Sequence, residues 1–265
     1  MIVHNFDPVL IDFGIVQIRW YSLAYILGIL AGWWYGINII KKQIQSVDQK
    51  NYIENFNDLV GYIIIGVVVG GRLGYVFFYN PTFYFENISE IFKLWKGGMS
   101  FHGGLIGVIF STYIFSKIKN LNYRLYFDTI ACVAPIGIFL GRIANFINGE
   151  LYGTPTEKPW GVIFTKIDNV PRHPSQIYEA VLEGVLLFAI LNLLIGKKNF
   201  NHGVISLLFL VLYGILRIIS EQFRQPDEHM GYIFGYLSMG SVLSAVMIIL
   251  GMLFLARFIF NEKNR

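Results

Sequence analysis

Arginine, asparagine and glutamate side chains stand at the end of one long apolar run of this sequence. Residues 141–153 read GRIANFINGELYG, and they follow the run LYFDTIACVAPIGIFL. A charged side chain near the centre of a bilayer costs roughly 2.5–3.5 kcal/mol on insertion scales, so such residues are usually functional or paired. Arg142 is therefore a candidate anion-binding group, because a guanidinium matches the geometry of phosphate and stays charged in a dry site.

A second group of charges lies near the end of another apolar run. Arg217, Glu221 and Arg224 are spaced at i, i+4 and i+7, which places them on one face of a helix. For Arg142 and Arg217, the structural alternatives to anion binding are snorkelling to lipid headgroups or pairing with a nearby glutamate. Glu150 and Glu221 are the glutamates considered for that pairing. Anion binding is the favoured hypothesis, and the alternatives stay open.

His102 is the candidate general base. It lies in GGMSFHGGL, residues 97–105, at the start of an apolar run, and the ordinary pKa of histidine lies near working pH. The structural alternative is an interfacial histidine that only makes a hydrogen bond. Ser100 does not form a serine-hydrolase motif, because the glycine-flanked nucleophile signature is absent. For Arg72, in another apolar run, the structural and functional hypotheses are evenly balanced.

The composition predicts a polytopic membrane protein, and no metal or cofactor is expected. The chain has 265 residues, of which 55% are hydrophobic and 14% charged, whereas soluble domains have about 25% charged residues. The net charge of +4 is only weak support for a nucleic-acid partner, and none is predicted, since basic residues in loops set membrane topology. Cys132 is the one cysteine, so an internal disulfide is excluded, and its apolar neighbours predict a packing role. No HExxH or paired-carboxylate motif predicts a metal site.

Repeated apolar runs of about twenty residues predict an all-α, polytopic integral membrane protein with about seven transmembrane helices. The predicted spans are residues 19–40, 58–79, 101–116, 125–147, 176–195, 203–223 and 233–256. No Pro- or Ser-rich linker divides the chain, so a single transmembrane enzyme domain is expected over residues 1–265. The N-terminus lacks the basic stretch of a cleaved signal peptide, so the first span is expected to serve as the targeting signal.

The distribution of basic residues predicts the orientation. They concentrate after the first, third and fifth spans and in the C-terminal tail: Lys41, Lys42, Lys50, Lys117, Lys119, Arg124, Lys197, Lys198, Arg257, Lys263 and Arg265. By the positive-inside rule the N-terminus lies outside, the C-terminus is cytoplasmic, and small extracytoplasmic segments join the spans on the outer side.

This orientation places the polar residues of the spans at one level, near the outer leaflet. They are Tyr21, Arg72, His102, Arg142, Asn145, Gln176, Tyr178, Glu179, Arg217, Glu221 and Arg224. We therefore expect a single site there. The alternative from another class is a permease or lipid carrier for an anionic compound. It is disfavoured because no comparable polar cluster lies at the inner leaflet, where alternating access would need one.

Six ordered motifs carry a resemblance to a known family. GRIANFINGELYG is similar to the signature of the prolipoprotein diacylglyceryl transferases of the bacterial plasma membrane. The further matching segments are FDPV (6–9) with RWYSLAY (19–25), GGRLGYVFFYNP (70–81), GGMSFHGG (97–104), RHPSQIYEA (172–180) and RIISEQFRQPD (217–227). The resemblance extends over nearly the whole chain.

The resemblance implies an enzyme of lipoprotein maturation. Such an enzyme transfers a diacylglyceryl group from phosphatidylglycerol to the thiol of a lipobox cysteine, forming a thioether and releasing glycerol phosphate. The implied partners are phosphatidylglycerol, the signal peptide and lipobox of preprolipoproteins, and membrane lipid. The implied location is the bacterial inner membrane, as a multi-pass protein with its active site toward the outer leaflet. The residues implied to be functional are Tyr21, His102, Arg142, Asn145, Glu150, Gly153, Arg217 and Glu221.

These residue types suit the implied reaction. A free thiol of pKa about 8.5 is only about 3% ionised at pH 7, so a base or cation is needed, and His102 is the natural candidate. Arg142 and Arg217 are expected to stabilise the leaving phosphate, with Tyr21 as a fourth catalytic residue that bonds the headgroup or orients a partner. The expected substrate-binding residues are Asn145, Glu150, Gly153, Glu221 and Arg72, among which Glu150 and Glu221 are expected to position the arginines.

Overall fold

The computed structural model describes residues 2–14, 17–197, 201–226, 231 and 237–263, and helices dominate this part of the chain. Seven of the described helical segments are long and apolar enough to cross a membrane. They are Trp20–Gln43, Gln49–Phe78, Phe101–Ile118, Tyr123–Asn148, Ser175–Ile195, Val204–Glu221 and Met239–Asn261. The predicted all-α polytopic membrane fold is thereby confirmed. The side of the membrane on which each terminus lies remains a prediction.

Nine α-helices follow one another along the described chain. They are α1 (Trp20–Gln43), α2 (Gln49–Phe78), α3 (Pro81–Glu86), α4 (Phe101–Ile118), α5 (Tyr123–Asn148), α6 (Ser175–Glu179), α7 (Leu187–Ile195), α8 (Val204–Glu221) and α9 (Met239–Lys263). A π-helical segment, Ala180–Leu186, joins α6 to α7 within the fifth span. Two 3₁₀ turns, Ile88–Phe92 and Leu94–Lys96, follow α3.

Two helix boundaries differ clearly from the predicted ones. Helix α2 begins at Gln49, nine residues before the predicted start at 58, because its first turns bury Phe56 and Leu59. Phe56 stacks on Tyr126 with parallel rings 6.4 Å apart. The last helix continues to Lys263, beyond the predicted end at 256. The predicted start of that span, residues 233–236, lies outside the described residues.

The chain forms two compact units, so far as the structure describes them. One comprises Met1–Gly36 with Ile130–Arg265, and the other comprises Ile37–Thr129. The first unit contains five short strands: β1 (Ile2–His4), β2 (Val9–Asp12), β3 (Gln17–Arg19), β4 (Val162–Phe164) and β5 (Pro171–Arg172). β4 pairs in parallel with β1 and antiparallel with β5, and β2 pairs antiparallel with β3. The single domain over residues 1–265 remains a prediction.

Within the Ile37–Thr129 unit, α2 packs against α4 through glycines. Gly70 and Gly74 on α2 face Gly103 on α4, and a Cβ on Gly74 would lie 2.6 Å from the Cα of Gly103. Small residues allow membrane helices to approach this closely. Ser100 precedes α4, and its backbone N–H donates to the Gly71 carbonyl at 2.9 Å. These contacts fix the first turn of α4, which carries His102.

Candidate active site

Helix α5 presents Arg142 and Asn145 in its last two turns. Positions three apart are neighbours on a helix surface, and Arg142 Nη1 donates to Asn145 Oδ1 at 3.4 Å. The helix ends at Asn148, and Gly149 follows with a φ of +72°, the left-handed conformation that commonly terminates helices at glycine. Asn145 is buried. The apolar helix therefore ends with two polar groups turned inward.

The fifth span places two fully buried carboxylates beside Arg142. Glu179 is the last residue of α6, and Glu183 lies four residues later in the π-helical segment; both side chains have 0% exposure. Arg142 Nε lies 2.8 Å from Glu179 Oε2, and Arg142 Nη2 lies 3.4 Å from Glu183 Oε2. Arg142 is thus paired within the protein, and its carboxylate partners come from a different span.

Arg217 on α8 contacts the same two carboxylates. Its Nη1 lies 3.0 Å from Glu179 Oε1 and 3.3 Å from Glu183 Oε1. Its Nη2 forms an ion pair with Glu221 Oε2, one turn later on α8. Arg224 Nη1 lies 3.8 Å from Glu179 Oε1. We call Arg142, Glu179, Glu183, Arg217, Glu221 and Arg224 the ion-pair cluster; its three guanidinium groups balance three carboxylates when all are ionised.

Glu221 lies on the same face of α8 as Arg217, as the i, i+4 spacing predicts. It pairs with Arg217 within one helical face, and the Ser238 hydroxyl donates to Glu221 Oε1 at 2.7 Å. The spacing i, i+4 seen in the sequence therefore produces a real contact. Arg217 is 5% exposed and Glu221 lies beside it, so the pair is largely shielded from water.

Glu150 is hydrogen-bonded to two asparagine side chains at the end of α5. The side-chain amides of Asn145 and Asn148 donate to its Oε1, at 2.7 and 3.3 Å. Among the described ion pairs, those of Arg142 are with Glu179 and Glu183, and none is with Glu150. The structural alternative of a direct Arg142–Glu150 pair is therefore not found among the described ion pairs, because the chain turns at Gly149 and leaves Glu150 exposed. Glu150 instead reaches Arg142 through the Asn145 side chain.

Tyr21, on α1, contacts the side chain of Tyr25. Its hydroxyl is 3.4 Å from the hydroxyl of Tyr25, one turn later on α1, and the two rings are 5.0 Å apart. Arg142 and Glu150 are both electrostatic neighbours of Tyr25. Within this compact unit, Tyr21 therefore contacts Tyr25, which lies within electrostatic range of Arg142 and Glu150.

Gly153 is held by backbone on two sides. Its N–H donates to the His173 carbonyl at 3.0 Å, and a Cβ at this position would lie 2.6 Å from the Phe223 carbonyl oxygen. The carbonyl of Gly153 accepts a hydrogen bond from Arg172 Nη1 at 3.2 Å. The segment after α5 is thus joined to the residues that precede α6 and to those that follow α8. No larger residue fits without a backbone shift.

An ion pair outside the spans stabilises the same connection. Arg172 Nη2 lies 2.5 Å from Asp168 Oδ2, and this guanidinium holds the pKa of the Asp168 carboxyl below its usual value. The neighbouring His173 donates to or accepts from the Tyr178 hydroxyl at 3.1 Å, and burial lowers the pKa of its imidazole. The lowered pKa favours the neutral form of His173 in its contact with Tyr178.

Arg72, in the Ile37–Thr129 unit, is 4% exposed and surrounded by backbone carbonyls. Its guanidinium donates to the carbonyls of Glu90 at 2.6 Å, Ile91 at 2.8 Å and Gly98 at 3.1 Å, and also to that of Gly97. The ring of Tyr84 covers it at 5.0 Å. These contacts favour the structural alternative for Arg72, since it ties α2 to the segment that leads into α4.

His102 lies in the same unit, in the first turn of α4. It is half-buried and its ring centroid is 5.6 Å from that of Phe101. Ser100 caps the helix, because its hydroxyl oxygen accepts from the Gly103 N–H at 3.3 Å. The geometry therefore gives His102 a fixed backbone. Its action together with Arg142 and Arg217 remains a prediction.

The sequence matches the family described as prolipoprotein diacylglyceryl transferase over residues 8–257. The chain belongs to the prolipoprotein diacylglyceryl transferase family. Relatives named phosphatidylglycerol–prolipoprotein diacylglyceryl transferase are similar to this sequence over nearly their full length. That of Rickettsia bellii (strain OSU 85-389) is 51% identical over 249 residues, or 93% of each chain. That of Rickettsia typhi (strain ATCC VR-144 / Wilmington) is 48% identical over 265 residues, 99% of this chain and 100% of the relative. The family predicted from the motifs is confirmed.

For this prolipoprotein diacylglyceryl transferase family member, sequence reasoning missed the role of Glu179 and did not single out Glu183. Both lie in the apolar fifth span, four residues apart, and such a pair should face one side of a helix. Two arginines within predicted membrane spans need carboxylate partners, because an unpaired charge in a membrane is expensive. This need for partners is the signal from which carboxylates in a neighbouring span could have been predicted. The sequence alone could not show which of several glutamates meets it.

Proposed function

We propose that this protein transfers a diacylglyceryl group from phosphatidylglycerol to the lipobox cysteine of preprolipoproteins. The cysteine sulfur bonds to the phosphate-bearing carbon of the diacylated glycerol, and the bond between that carbon and the phosphate oxygen breaks. Glycerol phosphate leaves with the electron pair, and the thiol proton passes to a base. The observation that carries the proposal is that a member of this family joins two arginines of different helices in one cluster, the partly buried Arg142 and the buried Arg217.

The arginines suit the leaving group. Negative charge grows on the phosphate as the carbon–oxygen bond breaks, and fixed cations in a dry site stabilise that charge strongly. Arg142 and Arg217 meet at the same two carboxylates, so their guanidinium groups already lie close together. Each guanidinium offers several N–H groups in a planar fork, which matches the oxygens of a phosphate ester. We assign to this pair the binding of the lipid phosphate.

His102 is the proposed base for the thiol. Neutral imidazole can accept a proton near pH 7, where a free thiol is only about 3% ionised. The beginning of a helix also carries partial positive charge on its free N–H groups, which favours a nearby thiolate. His102 stands in the first turn of α4, so both effects support deprotonation at this position.

The remaining predicted residues have supporting roles in this scheme. Asn145 and Tyr21 bond the headgroup or its neighbours, and Glu221 orients Arg217. Glu150 acts through Asn145, and Gly153 provides the close backbone contact that shapes the connection after α5. Arg72, which the sequence suggests as a substrate-binding residue, holds the segment before α4 in this scheme. The scheme uses neither a metal nor a cofactor.

We also propose the cellular setting. The basic residues after the first, third and fifth spans support an N-terminus outside, a cytoplasmic C-terminus and a site that faces the outer leaflet of the bacterial inner membrane. A preprolipoprotein signal peptide, itself an apolar helix, can then present its lipobox cysteine from within the bilayer. Both substrates reach the site through the membrane, which suits a multi-pass protein.

A reconstitution assay tests the proposed function. Purified protein in lipid nanodiscs receives phosphatidylglycerol and a lipobox peptide, and mass spectrometry follows the peptide while released glycerol phosphate is measured separately. The expected result is one diacylglyceryl group added per peptide with one glycerol phosphate released. A peptide in which serine replaces the lipobox cysteine is the matched control and should gain no mass. Unmodified cysteine peptide after long incubation, with folded protein, would refute the proposal.

A further inference from the structure

Glu179 and Glu183 are the two fully buried carboxylates of the fifth span. Removing a carboxylate from water is expensive unless opposite charges and hydrogen bonds replace the lost solvation. Two such groups four residues apart in an apolar helix would repel each other without cations between them. Their presence therefore needs an explanation from the charges that they meet.

Each of these carboxylates divides its two oxygens between the same two arginines. Oε2 of Glu179 faces Arg142 at 2.8 Å, and its Oε1 faces Arg217 at 3.0 Å. Oε2 of Glu183 faces Arg142 at 3.4 Å, and its Oε1 faces Arg217 at 3.3 Å. Both glutamates are thus bridges, and the four side chains form a closed arrangement of alternating charge.

The local fold supports these bridges. Glu183 lies in the π-helical segment Ala180–Leu186, a rare conformation that is frequent at functional sites. Gly184 follows it, and a Cβ there would lie 2.7 Å from the Cβ of Phe139 on α5, so this glycine lets the fifth span approach α5. From α8, the Ser220 hydroxyl donates to Glu183 Oε1 at 2.8 Å. Three spans therefore meet at the two carboxylates.

We propose that Glu179 and Glu183 are positioning residues which align the guanidinium groups of Arg142 and Arg217 and which a substrate phosphate partly displaces. This inference rests on the proposed function, because it takes the arginines to be the phosphate-binding groups. In the resting cluster, carboxylates balance the guanidinium charges. An entering phosphate ester must compete with carboxylates for the same N–H groups. The ligand chemistry is a phosphate ester, whether in a lipid headgroup or as free glycerol phosphate.

The test separates anion binding from turnover. In Glu179→Gln and Glu183→Gln the cluster gains one net positive charge but loses an alignment contact. Glycerol phosphate, titrated calorimetrically into purified protein, should bind about tenfold more tightly or better, since an uncompensated cation then faces the anion. The turnover number of transfer should fall by about 10², the effect of a small misplacement of reacting groups. Opposite changes in binding and rate are not expected from mere loss of structure.

Two further variants provide controls. Glu179→Asp keeps the charge and shortens the side chain, so it should slow transfer without tightening glycerol phosphate binding. Glu54→Gln changes an exposed glutamate that pairs with Lys50 on α2, and both quantities should stay at the wild-type level. Repeating the titration with phosphatidylglycerol nanodiscs separates the lipid headgroup from free glycerol phosphate as ligand. Weaker anion binding together with slower transfer in both Gln variants would overturn the proposal, as would unchanged turnover.

A measurement on the wild-type protein covers the case in which the Gln variants do not fold. Infrared difference spectra with and without glycerol phosphate should show a shifted glutamate carboxylate stretching band, because the displaced carboxylates change partners. A phosphate-dependent spectrum without that shift contradicts the inference, and so does the absence of any phosphate-dependent change. The titrations and spectra need no turnover. They can therefore succeed or fail independently of the transfer assay that tests the proposed function.

Discussion

Replacing Arg142 by lysine keeps the positive charge and removes the planar fork. Arg142 uses three nitrogens in three directions: Nε toward Glu179 at 2.8 Å, Nη2 toward Glu183 at 3.4 Å, and Nη1 toward Asn145 at 3.4 Å. Lysine has a single Nζ at the end of a flexible stem, which can take one of these positions at a time. Arg142→Lys should therefore fold but lose most of its transfer activity.

The contacts set the size of the expected effect. A hydrogen bond to a charged group contributes about 1.5–3 kcal/mol to stability, and Arg142→Lys loses one strong contact and one longer one. Arg217 remains beside both carboxylates, so neither becomes an isolated buried charge. We expect a loss of about 2 kcal/mol in unfolding free energy. The rate should fall more, by about 10²–10³, because the lysine cannot hold two phosphate oxygens at once.

Single-turnover transfer to a lipobox peptide measures the rate, and thermal unfolding in detergent measures the stability. Arg217→Lys should behave in the same way, since the Nη1 of Arg217 contacts Glu179 and its Nη2 contacts Glu221. Arg257→Lys is the matched control, because Arg257 is exposed on α9 and its substitution should change neither quantity. Near-normal turnover in both cluster variants would refute the phosphate role and leave the two arginines as structural residues.

Three further predictions concern the base, the glycine and the topology. His102→Ala should slow single-turnover transfer most at neutral pH, and part of the lost rate should return as the pH approaches the pKa of the free thiol. A defect of equal size at every pH would exclude the base role. Gly153→Ala should lower the unfolding free energy by about 1–3 kcal/mol, because its Cβ would lie 2.6 Å from a carbonyl oxygen, and an unchanged melting temperature would contradict this packing role. In a Cys132→Ala background, Thr165→Cys should react with an impermeant thiol reagent in intact cells and Gln45→Cys should not; the reverse pattern would invert the orientation.

The sequence predicts the spans well because membrane helices have a strong and simple signal. Length and hydropathy locate each of the seven helices, and the polar spacing of Arg217 and Glu221 predicts their contact. Boundaries are less predictable, since the extension of α2 to Gln49 depends on Phe56 and Leu59 finding partners in the fold. Hydropathy alone does not report such partners.

The partners of the arginines are the part of the site that the sequence could not predict. Glu150 is eight residues from Arg142 in sequence, yet the turn at Gly149 leaves it exposed and joined to Asn145. The actual partners come from another span, in which a π-helical segment changes the helical register. Periodicity rules assume a regular helix of 3.6 residues per turn. A pairing that depends on three spans and one irregular segment lies beyond such rules.

The balance of charge in the cluster relates membrane insertion to catalysis. Three guanidinium groups without partners would strongly oppose insertion into a bilayer, whereas the same groups paired with Glu179, Glu183 and Glu221 form a neutral unit. That neutrality has a consequence for the reaction, because a neutral cluster attracts a phosphate only weakly until its internal pairs rearrange. Within the proposed mechanism, contacts with the remote acyl chains of the lipid must supply free energy for that rearrangement, as binding of non-reacting parts does in other enzymes. The guanidinium groups then turn from the carboxylates to the phosphate only when the whole lipid is in place, which ties activation of the arginines to correct substrate binding.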